Sequence, residues 1–293
     1  MHPRNDSVNP DPEPDQPTRF FAVEMENLQK TRGDPMNIVV FGAAGWLGRA
    51  ALANLAGRHH VRAFDYGPQA WQAWQDTDGE WTGGEIVHGD IVDFNAVRQA
   101  TEDMDAVLHM AVYHSDKPGA HGVHDEKPFL INLKGLWNVL ESARQCGIKR
   151  IVHLGSCQTV HPKGIFFTAD VRRPDGGLYG ITKRLQEEMC RQFHDAFGLR
   201  IIVLRPDYIV DSRLGIGRYK EKLGTEERPY RQGWVCRHDL AEACRLSLES
   251  QTIDFDIFHI VGTPGADKTC NVARSREILG LEYRGNLEQY RSP

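Results

Sequence analysis

The stretch LYGITKRLQEEMCRQF, Leu178 to Phe193, sets Tyr179 and Lys183 four residues apart. On a helix that spacing stacks them one turn apart on one face. A phenol beside an ammonium can do acid/base chemistry. An unperturbed tyrosine has a pKa near ~10, and a neighbouring cation favours its phenolate. A general base works best with a pKa near the working pH, so the phenol has to be made more acidic. Most Tyr/Lys pairs at this spacing are solvated surface, so this one is informative only if the rest of the chain builds a site around it. Ile181, Leu185, Met189 and Phe193 form a separate apolar stripe at helical spacing.

Short apolar segments that read as strands are Asn37–Phe41, Val61–Phe64, Glu85–His88, Ala106–Met110, Arg150–Leu154, Arg200–Leu204 and Asp256–Ile260. Helical patterns lie between them at Trp46–Ala56, Phe94–Thr101, Leu130–Gln145, Tyr179–Phe197 and His238–Glu249. Fully apolar strands alternating with amphipathic helices predict an α/β fold, a doubly wound parallel (Rossmann) sheet covered on both faces. Residues 36–205 would form the dinucleotide-binding core. Residues 206–293 would complete it through 237–261 and add a small C-terminal substrate-binding portion. The proline-studded residues 1–35 cannot bury a core and are expected to be disordered, with a short helical arm over 21–34.

In such sheets ligands bind beyond the carboxyl ends of the strands. After the first strand comes GAAGWLG, with Gly42, Gly45 and Gly48 around Ala44, Trp46 and Leu47. Glycines there let the chain turn, let backbone approach a pyrophosphate and let the following helix pack on the sheet. Asp65 follows the second strand, 17 residues past Gly48. A carboxylate there accepts from a ribose diol and repels the extra phosphate of NADP, which favours NAD although Arg49 and Arg62 lie near in sequence. Asp90 and Ile91 follow the third strand, placed for the adenine, although Asp90 could equally cap the next helix. Met110 and the small Ala111 follow the fourth, and Ser156 and Cys157 the fifth.

The formal net charge of −5 gives no global signal for nucleic acid or an anionic membrane. No apolar run approaches the ~20 residues that span a bilayer. Six scattered cysteines without a CxxC pair predict reduced thiols and a cytoplasmic protein, with Cys190, Cys236 and Cys244 as small buried residues. His109, His114, His121 and His124 cluster in sequence without clean ligand spacing, so no metal is expected.

These motifs together resemble the extended short-chain dehydrogenase/reductases of the NAD-dependent epimerase/dehydratase family. The carrying stretches are GAAGWLG, Asp65, GDIVD, LHMAV, NLKGLWNVLESARQCGIKRIVHLGS, YGITK, LRP and CRHDLAEA, spanning roughly residues 36–280. RRPDGGLYGITK and the short segment between Pro206 and His238 resemble the compact uronate dehydrogenases within it. The resemblance implies NAD as cofactor, Tyr179 as general acid/base, and Lys183 as its activator and a holder of the nicotinamide ribose. It implies that Asn132 holds a water or the lysine, that the substrate is a small molecule, and that the protein is a homodimer.

The family's third catalytic member is a Ser or Thr hydroxyl, and its position falls on Cys157 rather than Ser156. A thiol is a weak donor. The role therefore passes to Ser156, stays weakly with Cys157, or moves to Gln158 or Thr159. Gln158 and Thr159 stand where dehydratases carry acids, which argues against dehydration. The uronate pattern is broken at Ser156–Thr159 and at His114. Candidate substrate residues are His114, Gln158, Tyr208, Arg213 and Arg218, the arginines as clamps for a carboxylate or phosphate. The leading expectation is hydride transfer from a secondary alcohol of a sugar or sugar-acid-like compound to NAD. The alternatives are a nucleotide-sugar epimerase and a non-catalytic dinucleotide-binding protein.

Overall fold

The computed structural model describes residues 34–114, 126–159 and 177–291. The expectations for residues 1–33, His121 and His124 fall outside that range, as does most of the RRPDGG stretch.

In chain order the core begins with β1 (Asn37–Phe41), α1 (Trp46–Leu55) and β2 (His60–Asp65), followed by two short helices, α2 (Pro68–Gln72) and α3 (Gln75–Asp78). Next come β3 (Glu85–His88), α4 (Phe94–Thr101) and β4 (Ala106–His109). A π-helical turn, Pro128–Lys134, leads into α5 (Gly135–Gln145), then β5 (Arg150–Leu154), α6 (Leu178–Phe197) and β6 (Arg200–Pro206). The chain continues through β7 (Tyr208–Asp211), β8 (Ile216–Gly217) and β9 (Trp234–Cys236). It closes with α7 (Arg237–Glu249), β10 (Phe255–Ile260) and α8 (Ala273–Leu279).

Seven strands form one parallel sheet in the order β10-β6-β5-β4-β1-β2-β3. This is the doubly wound α/β sheet that the alternating pattern predicts. Its central strands are apolar on both faces because helices cover both. Ile38 and Val40 join one core cluster with α1 and α7, and Val39 and Phe41 join the other with α4, α5 and α6. β10 pairs with β6, so residues beyond 206 complete the main sheet. A second sheet, β8-β7-β9, lies between β6 and α7 in the chain. Its strands are too short to leave a period in the sequence.

Two helices differ from the expected pattern. The continuous helix expected over Leu130–Gln145 is π-helical through Lys134 before it becomes regular. On α6 the buried side carries Lys183, Gln186, Glu187 and Cys190 as well as Phe193, while of the rest of the apolar stripe Met189 packs partly against the core and Leu185 is exposed. Burying those polar groups is tolerable because they are partnered. Glu187 takes a two-pronged ion pair from Arg205 at 2.8 and 2.5 Å, and Gln186 donates to the Asn132 carbonyl at 2.6 Å.

Candidate active site

The carboxyl ends of β1, β2, β4, β5 and β6 open into one cleft of about 1010 Å³. Its first wall is the glycine turn. Gly42 has φ +83, and a Cβ there would lie 2.6 Å from the Ala111 nitrogen. Only glycine accepts both conditions. A Cβ on Gly48 would come within 2.3 Å of the Gly42 carbonyl, so glycine there lets α1 start directly against the turn. Gly45 caps α1 with no side-chain hydrogen bond, leaving first-turn N–H groups for a ligand.

Asp65 ends β2 beneath this turn. Its Oδ2 accepts from the Ala44 N–H and its Oδ1 from the Tyr66 N–H, both at 2.8 Å. Burial pushes its pKa up, and those two N–H groups push back. Each oxygen retains a second lone pair for a ribose hydroxyl. Ala44, Trp46, Leu47, Asp90, Ile91, Met110 and Ala111 line the same wall. Asp90 does not cap the next helix. Asp93 does, accepting from Asn95 at 2.9 Å, while the Asp90 carboxylate binds its own loop at the Val92 N–H. A glycine cradle, a half-buried strand-end carboxylate and a cleft of this size fit a dinucleotide.

The other end of the cleft holds the proposed chemistry. Tyr179, in the first turn of α6, is half-buried on the cleft wall. Burial raises its pKa, while a hydrogen bond with the Ser156 hydroxyl and the Arg218 charge lower it. Lys183 is buried, and its Nζ lies 5.9 Å from the Tyr179 ring centre and donates to the Leu154 carbonyl at 2.7 Å. Burial lowers the Lys183 pKa to about 8, with Glu187 opposing. The cations that favour phenolate are thus divided differently from the expectation, with Arg218 facing the phenol and Lys183 tied to the end of β5. His114 meets the Tyr179 ring edge-on, centroids 4.8 Å apart, and accepts a hydrogen bond at Nδ1 from Arg218 at 3.1 Å.

Not every expected residue reaches the cleft. Cys157 is fully buried in a separate apolar cluster, and its thiol donates to the Arg205 carbonyl at 3.1 Å. Burial drives its pKa far up, and the thiol is turned away from the cleft. Thr159 turns back onto the Ser156 carbonyl at 2.9 Å, whereas Gln158 lines the cleft. Arg213 is exposed and off the cleft, its N–H binding the Asp211 carboxylate. Asn132 is buried off the cleft wall. Its Oδ1 accepts from the Tyr113 N–H at 2.7 Å, and its Nδ2 donates to Tyr113 O and Thr182 Oγ1. These bonds fix the chain at Tyr113, next to His114.

Tyr208 and Arg218 do line the cleft, together with residues that the sequence did not single out, among them Tyr66, Trp74, Asp207 and Tyr219. Tyr66 directly follows Asp65, and Asp207 directly follows the LRP stretch, so adjacency to a motif was the available signal. Trp74 lies between two short helices with no period to mark it. Its ring lies 4.4 Å from that of Trp46, and Lys220 crosses above it to bind Asp76 at 2.8 and 2.6 Å. Arg237 holds the far end of α3 through Asp78, at 2.8 and 2.7 Å, and also binds the buried Asp211.

The family model for the NAD dependent epimerase/dehydratase family matches residues 38–211. The chain is 24% identical over 269 residues to L-arabinose 1-dehydrogenase (NAD(P)(+)) of Haloferax volcanii, covering 85% of this chain and 96% of that protein. It is 33% identical over 175 residues to uronate dehydrogenase of Agrobacterium fabrum, a match spanning 57% of this chain and 59% of that one. Among solved structures, uronate dehydrogenase from Agrobacterium tumefaciens aligns with TM-score 0.65 and 24% identity, covering 87% of this chain and 86% of that one. UDP-glucuronic acid 4-epimerase from Bacillus cereus in complex with NAD aligns with TM-score 0.67 and 17% identity, covering 86% and 95%. The structural likenesses show a shared fold.

Proposed function

The chain belongs to the NAD-dependent epimerase/dehydratase family, with NAD as its cofactor, and from that premise we propose that it oxidises a secondary carbinol of a small sugar. The observation that carries this reading is the convergence of Ser156, Tyr179 and Arg218 at one end of the cleft whose other end is the glycine turn and Asp65. The relatives include dehydrogenases named for arabinose and for uronates, which supports a sugar-sized substrate.

In this proposal the substrate carbinol lies against Ser156 and Tyr179, and the Ser156 hydroxyl holds the reacting oxygen. Tyr179 takes the carbinol proton at its Oη. Bound NAD supplies the hydride acceptor and a positive ring beside the phenol. Burial alone would keep the phenol protonated, so the Ser156 hydrogen bond and the Arg218 charge matter for the base form. Lys183, anchored on the Leu154 carbonyl, presents its remaining N–H donors toward the cleft for the cofactor ribose. Glycine turn, Asp65, Ile91 and Ala111 hold the dinucleotide. His114, Gln158 and Tyr208 face the sugar.

Homodimerisation through α5 and α6 is part of the proposal. Trp137, Leu185 and Phe197 leave apolar surface exposed on those helices, and the mass of the protein in solution checks it. Among the described residues no helix is long and apolar enough to cross a membrane.

The reading is tested by following NADH formation from NAD with aldoses, uronates and nucleotide sugars. Turnover with at least one free sugar is expected, and Tyr179→Phe should reduce it by about 10²–10⁴-fold while NAD still binds. Interconversion of a nucleotide sugar without any NADH appearing would make the protein an epimerase instead.

A further inference from the structure

We infer that residues 68–78 form a flap over the bound coenzyme, latched by the Lys220–Asp76 ion pair, and that opening this latch sets the rate of coenzyme exchange. The inference rests on NAD as the cofactor and is independent of which substrate is oxidised. The segment carries α2 and α3, and Ala70, Ala73 and Trp74 line the cleft from it. That spacing of three and four residues marks one inner face. The Trp74 ring lies 4.4 Å from that of Trp46, the first residue of α1. The flap therefore rests on the helix whose free N–H groups face the pyrophosphate.

Two carboxylates on α3 are held by two cations in opposite surroundings. Asp78 is bound by Arg237, with the side chains 17% and 2% exposed. Asp76 is bound by Lys220, with the side chains 64% and 45% exposed. The first pair is shielded from water and lasting. The second is wet, weak and screened by salt. Arg237 lies 3.9 Å from the Trp46 ring centre and Lys220 5.4 Å from that of Trp74, so the paired indoles lie between two cations. Arg49 donates to the Gly79 carbonyl and fixes the same end as Arg237. One end of the flap is thus a pivot, and the middle is free to swing once Asp76 lets go.

The other half of the latch is stiff. Lys220 has φ +63, a left-handed conformation uncommon for a residue with a side chain. A tight turn imposes it. The Lys220 N–H donates to the Gly217 carbonyl at 3.0 Å, and the Gly217 N–H to the Glu221 carbonyl at 2.9 Å. Glu221 is held in turn by Arg228 at 2.6 Å. The turn is therefore the fixed catch and the flap the part that moves. Gating by a short segment pivoting at one end is a common way to commit and release a ligand. A rim closed by a single exposed pair suits an oxidoreductase that takes up NAD and gives up NADH at each turnover.

The test reads binding rather than turnover, so its failure leaves the sugar reading untouched and the failure of that reading leaves it standing. The full chain is mixed with NADH by stopped flow, and the complex is then chased with excess NAD. Lys220→Met and Asp76→Asn replace exposed side chains and should leave the fold intact, which far-UV circular dichroism checks. Each should raise both the association and the dissociation rate constant at least about twofold, the scale of one exposed ion pair. The double variant should match the single ones, because both remove the same pair. Raising NaCl from about 50 to about 500 mM should speed dissociation from wild type more than from either variant. Rates within about twofold of wild type in both variants overturn the inference. So does faster dissociation with slower association, the mark of a wall that has lost contacts rather than a gate that has opened.

Discussion

Ser156 and Cys157 are neighbours in the chain and face opposite ways. The Ser156 hydroxyl meets the Tyr179 phenol in the cleft, and the Cys157 thiol donates to the Arg205 carbonyl on the core side. Ser156→Ala should therefore lower kcat by about a hundredfold, the scale for losing one donor at a reacting oxygen. Cys157→Ala should leave kcat within about twofold and cost about 1–2 kcal/mol of stability instead. Steady-state kinetics and urea unfolding of the two variants separate the roles, and a larger kcat loss from Cys157→Ala would reverse them.

The buried lysine gives stability a particular pH dependence. Lys183 has a folded pKa of about 8, lowered by burial from the ordinary lysine value of 10.5. Between those values the unfolded chain binds more protons, so stability rises with pH across that window. Below it the whole penalty is present, on the order of 3 kcal/mol. Lys183→Met removes the penalty. Wild type should thus gain on Lys183→Met in urea unfolding as pH is raised from about 7 to about 10. A gap that stays constant over that range would show that the ammonium is better solvated than its burial implies.

Arg237 is a buried structural charge near the cofactor wall. It binds Asp211 at 2.6 Å and Asp78 at 2.8 and 2.7 Å, with its guanidinium 3.9 Å from the Trp46 ring centre. Burial alone would raise the Asp211 pKa, but His238 and Arg237 hold it below the ordinary carboxylate range. Its stabilisation is therefore complete above its unfolded pKa and lost as pH falls through the lower folded value. Arg237→Met takes the guanidinium from the buried Asp211, leaving it His238 and backbone N–H groups, and should cost about 3 kcal/mol near neutral pH. Urea unfolding at pH 7 measures it.

Asp65 should matter to coenzyme choice as well as affinity. Its oxygens tie the Ala44 and Tyr66 N–H groups and face the ribose end of the cleft. Asp65→Ser is expected to raise the KM for NAD about tenfold and to narrow the preference over NADP. Initial rates with both coenzymes check this, and an unchanged ratio would move the discrimination to another residue.

The sheet was legible because its strands are apolar on both faces and its motifs sit at their ends. Gly42, Gly45, Gly48, Asp65 and Tyr179 all face one cleft. What escaped was set by side-chain direction rather than position in the chain. Nothing in Ser156-Cys157-Gln158-Thr159 says that the second and fourth residues turn inward. The burial of Glu187 on α6 is not legible from the helix itself because its partner Arg205 lies on β6. Asp207 and Trp74 follow motifs or short helices without a period of their own. Arg213 and Arg218 looked alike in sequence, and only the turn after β7 sends one outward and the other to His114.

Lys220 and Arg237 reach the short helix α3 from 144 and 159 residues further along the chain. The wall beside the glycine turn is therefore finished by the last third of the protein. A ribosome would have to release most of the sequence before that wall could close. A fragment ending at residue 205 would keep every coenzyme motif yet lack the fasteners that hold the rim in place. The nucleotide-binding half is thus not a portable module, and excising it as a fusion partner should yield a chain with an intact signature and a frayed edge.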